Sequence, residues 1–170
     1  MRVSAVAIAA TLALASISTS LSGQRPDDQI DSKSTELVVQ ARAARAAGDL
    51  ERAVDLLETA VTVDPRNRAA FVMLAGVADA RDLPGKAIRL YREALLLEPN
   101  DVAALRGQGE AMVKKGALNQ AQANLAKIKT LCKGQCPEAG ALATVIAKGP
   151  PVTTAAANPA AVPTPPEGSN

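Results

Sequence analysis

VTVDPRNRAAFVML at residues 61–74 and LLLEPNDVAALRGQ at residues 95–108 align without a gap, which sets Pro65 over Pro99, 34 residues apart. Each proline follows an acidic residue, Asp64 or Glu98, and each separates two apolar runs. Proline lacks the N–H that a helix interior needs and pushes the residue before it out of the helical region. Both therefore read as a helix end followed closely by a helix start. In the flanking runs the apolar residues recur at spacings of three and four, which is the period of an amphipathic helix.

Outward from the prolines the same register continues. Small residues recur as Ala41, Ala75 and Gly109, as Ala53, Ala87 and Ala121, and as Ala60 and Ala94. Large apolar residues recur as Leu37, Phe71 and Leu105, and as Leu57, Tyr91 and Leu125. A break falls inside each unit, at Gly48-Asp49, at Asp82-Leu83-Pro84-Gly85 and at Gly116-Ala117. The pattern predicts two antiparallel helices per unit. The small residues let the pair approach closely and the large ones fill the gap to the next unit.

This set of small, large and proline positions at a 34-residue period resembles the tetratricopeptide repeat. The resemblance implies an all-α, right-handed α-solenoid of about three helix pairs, with units at about 34–67, 68–101 and 102–135, closed by a C-terminal capping helix over 137–148. Pro137 and Glu138 suit the first turn of that last helix, and Ala141, Leu142, Val145 and Ile146 make its apolar stripe. The third unit departs from the pattern: Ile128 replaces the second alanine and Lys133 stands where the proline belongs, which is expected to loosen packing there.

The flanks differ in composition. Residues 1–22 carry one charge, Arg2, then an apolar run and small residues, the layout of a secretory signal. The same run is just long enough to serve as an uncleaved membrane anchor. Residues 23–33 read as a polar linker in which Asp27, Asp28 and Asp31 form a solvating run. Residues 149–170, rich in Pro, Ala, Thr and Val, are expected to be a disordered tail. Export, to a bacterial periplasm by resemblance to small exported proteins of this repeat class, would place Cys132 and Cys136 in an oxidising compartment. There they are expected to form a disulfide pinning the cap to the array. Free thiols and a redox or metal role are the alternatives, the last lacking further ligands.

The chain contains no histidine, and so lacks the commonest general acid/base and the commonest metal ligand. It has no phosphate loop, no nucleophile elbow and no carboxylate pair with a chemical partner, so no catalytic residue, metal site or cofactor is expected. A net charge of +2 gives no reason to expect nucleic acid as a partner. The family resemblance implies a concave surface built by the first helix of each unit. Carried onto this sequence, it assigns Val38, Arg42 and Arg45, then Val72 and Asp79, then Arg106, Glu110 and Lys114. Val113 belongs to the same set, and Ala69, Gly76 and Ala80 leave the middle open. Arginines there suit carboxylates through paired N–H donors. The expected function is a non-enzymatic exported module that binds a protein or peptide segment with acidic groups. The alternative is an envelope scaffold held at the membrane by an uncleaved N-terminal segment. The carboxylate-clamp pattern of chaperone-binding members is not matched, because small or apolar residues occupy several of its positions.

Overall fold

A computed structural model of the protein describes residues 29–133 and 136–151. Seven helices follow one another there: α1 (Ser32–Ala46), α2 (Leu50–Val63), α3 (Arg68–Ala80), α4 (Pro84–Leu97), α5 (Val102–Lys114), α6 (Leu118–Leu131) and α7 (Pro137–Lys148). The described residues include no strand. The expected signal or anchor segment, the linker through residue 28 and the tail beyond residue 151 lie outside them. No helix among the described residues is long and apolar enough to cross a membrane.

The helices start and stop where local chemistry requires. The first helix of each unit ends on a residue with positive φ, at Gly48 (81°), Asp82 (56°) and Gly116 (76°). Each is followed by a backbone N–H that reaches back to the last turn: Asp49 to Ala44 O at 2.9 Å, Leu83 to Ala78 O at 2.9 Å, and Ala117 to Met112 O at 2.8 Å. These bonds satisfy carbonyls that the helix leaves open. Carboxylate and amide caps open four helices, with Asp31, Asp49, Asn67 and Asp101 accepting from N–H groups of the first turn. Asp31 corrects one expectation. Its Oδ1 accepts from Lys33 N at 2.7 Å and Ser34 N at 3.3 Å, so it belongs to the array and α1 starts at Ser32, ahead of residue 34.

Packing follows the register. The helices pair as α1 with α2, α3 with α4 and α5 with α6, and each pair leans on the next through α2–α3 and α4–α5. The first helices also approach one another backbone to backbone, α1 with α3 and α3 with α5, whereas α2 and α4 reach each other only through side chains such as Glu58 and Lys86. A stack whose inner helices meet and whose outer helices splay apart is curved, with α1, α3 and α5 on the concave side. Ala41, Ala53, Ala60, Ala75, Ala87, Ala94 and Ala121 are all 0% exposed, so helix axes cross where only a methyl group intervenes. Leu57 is likewise fully enclosed. A leucine buried in this way contributes about 1.5–3 kcal/mol relative to exposure.

α7 lies on α5 and α6 as α3 lies on α1 and α2, so it takes the place of a fourth first helix, with no second helix paired to it among the described residues. Leu142 is 0% exposed and presses on Gly109, where an added Cβ would stand 2.7 Å from its Cδ2. Ile128, expected to loosen the third unit, is itself fully buried and packs with Leu105, Ala139 and Leu142. The larger side chain fills space beneath α7 that an alanine would leave empty. Cys132 and Cys136 are paired in the structure, their Cα atoms 5.8 Å apart, across the turn between α6 and α7.

Candidate functional site

The core takes one stripe from each inner helix, Leu37, Ala41 and Ala44 from α1 for example, and leaves the next stripe open. That second stripe meets its counterparts on α3 and α5 in a concave cavity of about 410 Å³. Arg42 and Arg45 of α1, Val72 and Gly76 of α3, and Arg106 of α5 line it together. Ala69 and Ala103 keep its middle low, and Arg68, Met73 and Asp101 complete the rim.

Its charges fall into two groups. Arg68 is ion-paired with Asp101, the cap of α5, which ties the start of the second unit to the start of the third. Arg106 pairs with Glu110 at 2.8 Å along α5, and Lys114 pairs with Asp79 at 2.8 Å from α5 to α3. Arg42 and Arg45 are exposed, and among the described residues no carboxylate lies within ion-pair distance of either. Two guanidinium groups thus face the cavity with no counter-charge among the described residues.

The expected site residues therefore divide. Arg42, Arg45, Val72 and Arg106 share the cavity, and Glu110 holds Arg106 in place. Asp79 and Lys114 bridge α3 and α5, and Asp79 keeps its second carboxylate oxygen buried without a partner in the described structure. Val38 stands apart from that cavity: at 5% exposure it packs in the core of the first repeat, and it lines a smaller cavity of about 180 Å³ with Thr35 and Ala69. Val113 is a correction: at 1% exposure it is packed beneath the Val145 and Ile146 side of α7.

Tyr91 is the groove residue that sequence reasoning placed only in the core. It is buried within the α3–α4–α5 cluster, yet it also lines the concave cavity. Burial raises its pKa above the usual tyrosine value, and the nearby charges of Asp79 and Glu110 push the same way, against Arg106 and Arg45. The hydroxyl therefore stays protonated at neutral pH. The signal that would have found it is Gly107, a gap in the α5 face opposite the ring.

The architecture is that of a tetratricopeptide-repeat domain. The tetratricopeptide domain of Sgt2 from Aspergillus fumigatus matches with a TM-score of 0.63 at 21% identity, covering 82% of this chain and 91% of that one. The second such domain of human RPAP3, solved in complex with HSP70 peptide SGPTIEEVD, matches with a TM-score of 0.62 at 18% identity over 66% of this chain and 94% of that one. In sequence the chain is similar to cellulose synthase operon protein C of Xanthomonas axonopodis pv. citri (strain 306), 38% identical over 84 residues. That overlap spans 49% of this chain and 6% of that protein. No protein-family model matches the chain.

Proposed function

We propose that the protein is a non-enzymatic interaction module, exported to a bacterial periplasm, that holds an acidic peptide or protein segment in its concave groove. The observation that carries this reading is the pair Arg42 and Arg45, open to the cavity and without an internal carboxylate among the described residues. Two guanidinium groups with no carboxylate among the described residues, set beside Arg106, favour a ligand that brings negative charge. The likeness to repeat domains bound to peptides rich in glutamate, as in the human RPAP3 complex, supports the same mode. The pairing of Cys132 with Cys136 supports an oxidising compartment. An envelope scaffold anchored by residues 1–22 is the alternative, and it would use the same groove.

Arg42→Glu combined with Arg45→Glu tests the reading without breaking any ion pair among the described residues. Helical content and melting temperature are expected to match wild type. Recovery of partners from envelope extract is expected to drop by about tenfold or more, the usual scale for charge reversal at a charge-matched contact. Equal recovery by the two proteins would sink the proposal.

A further inference from the structure

The hydroxyl end of Tyr91 does not stay between the helices of its own repeat. Gly107 on α5 stands where any side chain would collide with ring carbon Cζ and with Oη, so the ring passes α5 and its tip becomes part of the groove wall. Across the groove floor lies Gly76 on α3. A Cβ added to Gly76 would stand 3.7 Å from Tyr91 Oη and 3.7 Å from Arg45 Nη1. One small volume above the α3 backbone is thus flanked by a hydroxyl on one side and a guanidinium on the other, and it is open because residue 76 has no side chain.

The chemistry of those flanks is selective. An arginine offers only donors, and a protonated tyrosine hydroxyl offers one more. An oxygen seated over Gly76 is positioned to accept from both, and charge-assisted bonds of this kind are about twice as strong as neutral ones. Arg106 lines the same cavity but gives its Nη1 to Glu110, whereas Arg45 has no carboxylate partner among the described residues. The burial and acidic neighbours that raise the Tyr91 pKa keep its proton in place to be donated.

We propose that Gly76, Tyr91 and Arg45 form a subsite that receives the side-chain carboxylate of an acidic residue in the bound segment, with the Tyr91 hydroxyl and the Arg45 guanidinium both donating to it. This rests on the groove reading above and adds which residue type is read, and where. Because the subsite lies in the middle repeat of an open groove, a chain can pass across it, and a side chain rather than a chain end is what it meets.

The single tyrosine and the absence of tryptophan make Tyr91 its own reporter. The full chain, labelled at the tyrosine ring and at backbone amides, is titrated by NMR with three N-acetylated tripeptides. These are alanyl-glutamyl-alanine amide, alanyl-glutaminyl-alanine amide, and alanyl-glutaminyl-alanine with a free carboxyl end. The glutamyl amide is expected to move the Tyr91 ring signal and to bind about tenfold tighter than the glutaminyl amide. Tyr91→Phe removes only the hydroxyl. Gly76→Ala places a methyl group at ordinary contact distance in a helical backbone. Both variants are expected to fold as wild type and to bind the glutamyl and glutaminyl amides equally, as followed at the amides of Ala69 and Ala103. If those groove amides shift alike with both amides while Tyr91 stays still, the subsite is overturned and the groove reading stands. If the free-ended peptide moves Tyr91 as much as the glutamyl amide does, side-chain recognition is overturned. If no groove amide moves with any probe, both readings fall together.

Discussion

Asp64 shows how much of this array rests on single side chains at the corners between repeats. Its carboxylate is 4% exposed and accepts from Asp31 N at 3.0 Å, Arg66 N at 2.9 Å, and Arg66 Nε and Nη2 at 3.1 and 2.8 Å. Arg66 also donates to the Gln29 carbonyl, so this one corner fixes the chain entering α1. The bond from the Asp31 N–H lowers the Asp64 pKa below its ordinary value of 3.8, helped by Arg66 and opposed by burial. A depressed carboxylate pKa stabilises the fold fully above its unfolded value, and that contribution is lost as pH falls through the folded value. Asp64→Ala is expected to cost roughly 1–3 kcal/mol near neutral pH. Its loss of stability below pH ~4 should also be shallower than that of wild type. Urea unfolding at a series of pH values measures both, and parallel curves for the two proteins would refute this account. Asn67 shows the same economy: its Nδ2 donates to Ser34 Oγ, and that hydroxyl donates to the Ala60 carbonyl, all in the buried joint between the first two repeats.

At the scale of the element, the three turns inside the repeats use one backbone geometry with different residues. Residues 48, 82 and 116 all have positive φ, but the middle one is an aspartate. An L side chain in the left-handed region costs on the order of 1 kcal/mol, which glycine avoids. A Cβ added at Gly48 or Gly116 would meet nothing within 4 Å, so strain there would be purely conformational. Gly48→Ala is therefore expected to lower stability by about 1 kcal/mol, and Asp82→Gly to raise it by about 0.5–1 kcal/mol. Thermal unfolding followed by circular dichroism gives the sign directly, and a lower melting temperature for Asp82→Gly would contradict the argument. The helices around these turns were legible in the sequence because their periodicity is long and strongly marked. The start of α1 was not, since a capping aspartate preceded by other aspartates looks like any solvated run until its partners are known.

For the whole molecule, the open question in a short stack is what closes its last apolar face. α7 does so chiefly through Leu142, which sits against Gly109, Leu105 and Ile128, while the Cys132–Cys136 pair ties its near end to α6. Magnitudes decide between the two. Emptying a fully buried leucine site typically costs about 2–5 kcal/mol. Opening a disulfide over so short a loop removes at most about 2 kcal/mol of unfolded-state restraint. Leu142→Ala is thus expected to destabilise the fold more than Cys132→Ser with Cys136→Ser, as read from urea midpoints. The reverse order would mean that the cap is held by its covalent tie and not by burial.

The sequence by itself determined the helical repeat, its 34-residue register and the residues that pack it, because small and large side chains in a solenoid meet the same neighbours in every unit. The family resemblance carried by that register also assigned Arg42, Arg45, Val72 and Arg106 to the concave face, and the structure brings these four to one cavity. The tertiary structure alone decided which of those charges are already spent, because the pairs Lys114–Asp79 and Arg68–Asp101 join helices from different repeats. It also withdrew Val113 into the core and brought Tyr91 out to the groove. Both outcomes depend on what the next element of the stack places opposite a side chain: α7 over Val113, and Gly107 of the third repeat beside Tyr91. A register seen within one repeat carries no record of that.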